Sequence, residues 1–191
     1  MARNTTKLQY EQKMGNLLSK YWGASQTINE LMSKIVDHFE AKKDHLKGNL
    51  DCNETDLLKK LRFEKCCGLQ KDIPNESGLF GYGSLKADYR PNGDSDIIIE
   101  VKYIRNSNGQ HNECDIKNGL SQIIEQAVCK NVKHAILLII DAGRARNRGW
   151  NDIERKFISM FQQNPFNINL KVIRIRILED GEEIDIKTEI V

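Results

Sequence analysis

The sequence has no long hydrophobic run and no pattern of paired cysteines. No window reaches the roughly 18 apolar residues that a membrane-spanning helix needs, and the opening residues MARNTTKLQYEQK lead into no apolar signal segment. The cysteines are five, an odd number, and include no C-x-x-C pair, so the sequence indicates neither a disulfide framework nor a zinc site. We therefore expect a cytoplasmic protein, without membrane association, whose thiols are reduced.

Neither sign of charge dominates the chain. The 29 lysines and arginines nearly balance the 27 acids, which gives a net charge of +2. The protein as a whole is therefore not a polycation, and any surface that binds nucleic acid must be a local patch. With 191 residues, 39% hydrophobic and 29% charged, the composition is typical of one globular domain with a sizeable core.

The first fifty residues predict helices. Apolar residues recur at helical spacing between residues 28 and 39, after the capping-box pair Thr27 and Glu30, and a shorter helix is expected around residues 5–21. Asn53 can cap a third helix over residues 54–67. We divide the chain into a helical N-terminal lobe, residues 1–50, and a core, residues 51–191.

From residue 84 onward the pattern changes to strands. The segments SLKADYR, PNGD and SDIIIEVKYI predict a hairpin, and a helix with apolar residues between 116 and 128 follows. The continuous apolar run in KHAILLIID is typical of a strand buried on both faces. A helix capped by Asn151, a strand in which Arg174 and Arg176 alternate with isoleucines on one solvated face, and a C-terminal edge strand complete the chain. This order predicts an α/β fold with a mixed central β-sheet flanked by helices.

Two charges interrupt the isoleucine-rich strand of the hairpin. Glu100 and Lys102 lie on one face, because side chains alternate along a strand. Burying a carboxylate and an ammonium group is costly unless something compensates them, and a divalent cation would do so. Asp96 shares the face, but four residues along a strand span roughly 13 Å, too far for one ion.

The length of the hairpin loop decides whether a second acid, Asp88, reaches Glu100. A two-residue turn would point Asp88 away from the Glu100 face, whereas a three-residue turn, residues 92–94, would place it opposite Ile98 on that face. A shared metal ion therefore predicts the loop of odd length.

An acid at the end of one strand, a short hairpin and the segment IIIEVK resemble the PD-(D/E)XK nuclease superfamily, whose fold is the restriction-endonuclease-like fold. The resemblance follows the order of elements from about residue 54 to residue 177, and Ala87 stands where the name-giving proline would be. It implies that residues 51–191 are a nuclease catalytic core. It also implies that Asp88 and Glu100 bind Mg²⁺ and that Lys102 positions and activates the water that attacks a phosphodiester.

The resemblance implies two further site residues. Glu54, from the helix before the hairpin, would be a third metal ligand, with Glu64 and Asp56 as less favoured choices, and Gln122, from the helix after it, would be a polar site residue, with Gln126 one turn on. Each has a structural alternative, since Glu54 is also a first-turn acid favoured by the helix dipole and Gln122 also fits a solvated helix face.

The resemblance thus implies a Mg²⁺-dependent, type II restriction-like endonuclease that cleaves double-stranded DNA. Few residues remain for base recognition, and the layout is similar to the small cleavage subunit of heterodimeric type IIS restriction endonucleases, in which a larger subunit recognises the site. A homodimeric restriction or repair nuclease, built with a second copy, and a non-catalytic nucleic-acid-binding module on the same fold are the alternatives. Arg144, Arg146 and Arg148 are candidates for phosphate contacts.

Overall fold

The computed structural model describes residues 28–71, 87–91, 96–105, 109–142, 150–180 and 183–191. The described helices are α1 (28–41), α2 (Lys43–Leu46), α3 (Glu54–Lys60), α4 (Phe63–Cys67), α5 (Gly109–Cys129) and α6 (Asp152–Gln162). The described strands are β1 (Leu69–Lys71), β2 (Tyr89–Pro91), β3 (Ile97–Ile104), β4 (His134–Asp141), β5 (Asn169–Asp180) and β6 (Glu183–Ile190). The helix expected around residues 5–21, the cap at Thr27, the turn at residues 92–94 and the arginines at 144, 146 and 148 lie outside these ranges.

The six strands form one mixed sheet in chain order, β1 to β6. The central strands β3, β4 and β5 are parallel, and the three remaining pairings are antiparallel. Each parallel connection contains a helix, because parallel neighbours need a crossover: α5 joins β3 to β4, and α6 joins β4 to β5. The predicted α/β fold with a mixed sheet is confirmed.

Helices cover both faces of the sheet. On one face, apolar residues of α1, α3 and α4 form a core with the odd-numbered residues of β3. On the other face, α5 packs on the even-numbered residues of β3, and α6 packs on β5. Strand β4 is buried from Ala135 to Asp141, which confirms the strand predicted to be buried on both sides. None of the helices in the described ranges is long and apolar enough to cross a bilayer.

The predicted third helix is two helices. Helix α3 ends at Lys60 and α4 begins at Phe63, and Arg62 between them has a left-handed backbone with φ of 52°. Leu61 and Phe63 are both fully buried. Residues two apart in a continuous helix do not share a face, so the break is what lets both side chains enter the core. The short strand β1 directly after α4 was also missed, because its three residues carry no alternation long enough to detect.

The predicted solvated face of β5 is wrong. Arg174 and Arg176 are only 2% and 7% exposed. Arg174 binds Asp141 of β4 at 2.5 Å and lies over the ring of Trp150, 4.7 Å from its centroid. Arg176 binds Glu189 of β6 at 2.6 Å. Ion pairs with neighbouring strands compensate the two buried charges, so the alternation of arginine and isoleucine marks two buried faces.

Candidate active site

The hairpin between β2 and β3 brings Asp88 to Glu100. Tyr89 pairs with Ile99, and Asp88, the residue before Tyr89, accepts a hydrogen bond from Val101 N, which places Asp88 next to Glu100. The predicted position opposite Ile98 is wrong by two residues, because five residues, 92–96, separate the strands instead of three. A shift of two keeps every side chain on the same face, so the expected parity holds.

Asp88 and Glu54 occupy a gap at the edge of β3. Alternate N–H groups of a strand point to the same neighbour, so Val101 and Tyr103 point as Ile99 does, towards β2. The described residues of β2 begin only at Tyr89, and side-chain carboxylates accept these hydrogen bonds instead. Val101 N donates to Asp88 Oδ2 at 2.8 Å, and Tyr103 N donates to Glu54 Oε2 at 2.9 Å.

Glu100 and Lys102 complete the cluster from the α5 side of the sheet. Glu100 is only 5% exposed, and its Oε1 accepts a hydrogen bond of 2.7 Å from Lys102 Nζ. The stem of Lys102 passes Gly119 of α5 so closely that an added Cβ there would lie 3.0 Å from its Cγ. We call this arrangement, with the carboxylates of Glu54, Asp88 and Glu100 and the ammonium of Lys102, the acid notch.

The carboxylates of the acid notch repel one another. Burial first, and then the charge of Asp88, raises the pKa of Glu54 from 4.5 to about 7. The same two causes raise the pKa of Glu100, against the opposing effect of its hydrogen bond from Lys102. Three carboxylates and one ammonium group leave the notch with excess negative charge when all are ionised. Such an arrangement is unfavourable by itself and attracts a cation.

The other candidates occupy different positions. Gln122 lies on the exposed side of α5, whereas Gln126, one turn on, is buried and close enough to Glu100 to lower its pKa. Asp56 turns back to the start of α3, where it pairs with Lys59, and Glu64 pairs with Lys71 of β1. Of the three acids considered for the helical contribution, the structure brings Glu54 to Asp88 and Glu100.

The donors of the acid notch suit a hard cation. Mg²⁺ prefers carboxylate oxygens, and Glu100 Oε2 is buried with no hydrogen-bond partner among the described residues. Within the described ranges, no group of three or more His, Cys, Asp or Glu side chains is placed so that it could hold a metal ion without rearrangement. One oxygen of each carboxylate is engaged, by Val101, by Tyr103 or by Lys102, so metal binding requires the Glu100–Lys102 ion pair to adjust.

Sequence reasoning missed the backbone contribution to this site and the role of Gly119. The acceptors for the amides of Val101 and Tyr103 come from residues 13 and 49 positions away, which no local pattern reveals. A glycine inside the apolar pattern of α5 was an available signal, since it often marks close packing. No protein-family model matches the chain, and neither a curated protein nor a solved structure shows significant similarity to it.

Proposed function

We propose that the chain is a Mg²⁺-dependent endonuclease that hydrolyses phosphodiester bonds of double-stranded DNA, on a restriction-endonuclease-like fold. One observation carries the proposal: Glu54, Asp88, Glu100 and Lys102, which the motif singles out, meet at one edge of β3 although they come from three separate segments. A partly buried cluster of mutually repelling carboxylates with one lysine is the type of site at which perturbed pKa values accompany catalysis.

The three carboxylates would hold the metal ion. Asp88 and Glu100 are the central pair, Glu54 adds a third carboxylate, and the unsatisfied Glu100 Oε2 supplies a buried oxygen. Bound Mg²⁺ would lower the pKa of a coordinated water and neutralise charge on the phosphoryl oxygens. The hydrogen bonds from Val101 and Tyr103 orient two of the carboxylates before any ion arrives, which reduces the entropic cost of forming the site.

Lys102 supplies a fixed positive charge. Its stem is held between β3 and α5, beside Gly119, and its ammonium group lies 2.7 Å from Glu100 Oε1. Hydrolysis of a phosphodiester builds negative charge on the phosphoryl oxygens, and a cation already in position stabilises that charge without reorganisation. We assign Lys102 to this task and to orienting the attacking water.

The chain would act with a second protein subunit. One acid notch cleaves one strand, so a double-strand break requires a second site. We propose a larger recognition subunit as the partner, in the manner of heterodimeric type IIS restriction endonucleases, and a second copy of the chain, as in homodimeric restriction or repair nucleases, as the alternative. Co-purification from the native host shows whether the partner is a larger subunit or a second copy of the chain. Mapping of the cut positions then shows where each of the two sites cleaves.

A plasmid-nicking assay tests the activity. Wild-type protein should nick supercoiled DNA with Mg²⁺ and not with EDTA, and Glu100→Gln and Lys102→Met should each reduce the rate by about 10²-fold or more. Glu125→Gln and Lys117→Met change matched charges at exposed positions of α5 and should leave the rate unchanged. Nicking that survives both site substitutions would refute the assignment.

The hydrogen bonds at the edge of β3 favour a second candidate, a non-catalytic module that binds nucleic acid. In that case Asp88 and Glu54 serve only to satisfy the amides of Val101 and Tyr103. Tight binding of DNA without Mg²⁺-dependent cleavage, also in the presence of the co-purified partner, would support the module.

A further inference from the structure

A second concave surface lies beside the acid notch. A cleft of about 390 Å³ is lined by α3, α4, β1 and Tyr89 of β2. Four of its lining residues are cationic and one is acidic; we call it the basic cleft, and its charged residues are Lys59, Arg62, Lys65, Lys71 and Glu64. A chain with a net charge of only +2 thus concentrates four positive charges in one cleft.

The positive charges of the basic cleft are available to a ligand. Arg62 and Lys65 are exposed and form no ion pair with any described residue. Lys59 pairs with Asp56 at 3.5 Å and Lys71 with Glu64 at 3.8 Å, and all four side chains are about half exposed or more. An exposed ion pair of this length contributes little stability, so a phosphate group can replace the carboxylate at low cost.

The basic cleft and the acid notch are adjacent. Two consecutive pairs of residues join them: Glu54 of the notch precedes Thr55 of the cleft, and Asp88 precedes Tyr89. Tyr89 lies within electrostatic reach of both, since burial first and then the charges of Glu64, Asp88 and Glu54 raise the pKa of its hydroxyl. A ligand bound in the cleft would therefore lie next to the notch.

We propose that the basic cleft binds the phosphodiester backbone of the DNA and guides it to the acid notch. This inference rests on the proposed function and adds the surface that holds the substrate. Guanidinium and ammonium groups are the usual partners of backbone phosphates, and such contacts position a duplex without reading its sequence. The acidic notch would repel a polyanion by itself, so a strong cationic surface next to it is what an anionic substrate requires.

The backbone of Arg62 allows binding to be separated from folding. Arg62 has a left-handed backbone, which is unfavourable for most non-glycine residues and which asparagine tolerates better. Arg62→Asn should therefore keep or raise stability while it removes one positive charge from the cleft. A loss of affinity in this variant cannot be assigned to unfolding.

Fluorescence anisotropy with a labelled DNA duplex in EDTA tests the proposal without requiring cleavage. The triple variant Lys59→Ala, Arg62→Asn, Lys65→Ala should lose on the order of a hundredfold in affinity at about 0.1 M salt, and the slope of log K against log[salt] should fall by about 0.9 for each lost phosphate contact. A charge-matched triple at exposed positions of α5 and α6, with alanine at Lys117, Arg155 and Lys156, should bind like the wild type.

Three results would overturn the proposal: no binding by the wild-type protein at low salt, equal losses in both triple variants, or tighter binding of polyglutamate than of the duplex through the same residues. The last result would identify an acidic protein as the ligand. Glu100→Gln serves as a separate arm, since it should abolish nicking and leave duplex affinity unreduced. Failure of the proposed activity with retained, cleft-dependent binding would thus be distinguished from failure of the cleft.

Discussion

Replacing Glu54 by glutamine tests whether the acid notch carries more negative charge than the fold tolerates. Glu54 Oε2 accepts the hydrogen bond from Tyr103 N at 2.9 Å, and the amide oxygen of glutamine can accept the same bond. The substitution therefore removes the charge and keeps the contact. Burial, followed by the charge of Asp88, raises the pKa of Glu54 from 4.5 to about 7.

The sign of the effect follows from this shift. Well below pH 4.5 Glu54 is mostly protonated in both the folded and the unfolded state, and its burial then costs no ionisation energy. As the pH rises from 4.5 to about 7, the unfolded state releases the proton first, so the free energy of unfolding falls and then levels off. Each pKa unit corresponds to about 1.4 kcal/mol. Because Glu54 is only half-buried, solvent screening reduces the full cost to roughly 1.5 kcal/mol.

Glu54→Gln should therefore match the wild type in stability at about pH 3.5, below both pKa values, and exceed it by about 1.5 kcal/mol at pH 8. Urea unfolding, followed by tryptophan fluorescence at both pH values, measures the difference. Added Mg²⁺ should stabilise the wild type more than the variant at pH 8, since binding to the folded state alone raises stability. Glu40→Gln, at an exposed position of α1, is the control for removing one negative charge. A variant less stable than the wild type at pH 8 would refute the reasoning.

Three further substitutions test contacts that hold the strands and helices around the site in place. Gly119→Ala adds a Cβ 3.0 Å from Lys102 Cγ, so overpacking should outweigh the usual helical gain, lower stability by about 1 kcal/mol and slow nicking, as urea unfolding and the plasmid assay would show. Asp141→Ala removes the closer of two carboxylates beside the buried Arg174, leaving Glu154 at 3.9 Å, and should cost about 3 kcal/mol in urea unfolding. Asn151→Ala removes the cap of α6 and should cost about 1 kcal/mol while nicking per folded molecule stays unchanged.

Each of these predictions has its own check. Asn118→Ala changes an exposed neighbour of Gly119 on α5, so a similar loss of nicking in that variant would show that the helix, and not the contact with Lys102, matters. The double variant Asp141→Ala, Arg174→Met should recover part of the lost stability, and no recovery would mean that the ion pair is not the source of the cost. Reduced nicking in Asn151→Ala would place α6 at the site.

The elements that sequence analysis predicted best are those with strong periodicity. Strand β4 is an unbroken apolar run, and the capping box at Asn151 and Glu154 is present with both of its hydrogen bonds. The hairpin was predicted only in part. Burial fixes which residues face each side of a strand and therefore the parity of the loop, but a shift of two residues preserves both faces. Parity was predictable for Asp88 and Glu100, and register was not.

What sequence analysis missed depends on partners far along the chain. In the sequence, Arg174 and Arg176 look like the polar positions of a strand with one solvated face. In the structure they are buried, and Asp141 and Glu189 from neighbouring strands neutralise their charges. The helix break at Arg62 also has no signal in the sequence, because most residues from 54 to 67 are compatible with a helix. The break follows from the packing of the core, which buries both Leu61 and Phe63. Local patterns therefore located the candidate acids, while their contacts with β3 required the fold.

The acid notch differs from a purely structural edge of the sheet because its charges lower the stability of the folded state. Two acceptors are needed for the amides of Val101 and Tyr103, and a neutral asparagine or glutamine would supply each of them. Acids at both positions, beside a third in Glu100, instead raise the pKa values of Glu54 and Glu100 and lower the stability of the folded state at neutral pH. Proteins retain such unfavourable charge mainly where function requires it. A cation that binds the notch would remove the repulsion between the carboxylates. The free energy of unfolding at neutral pH should therefore rise when Mg²⁺ is added.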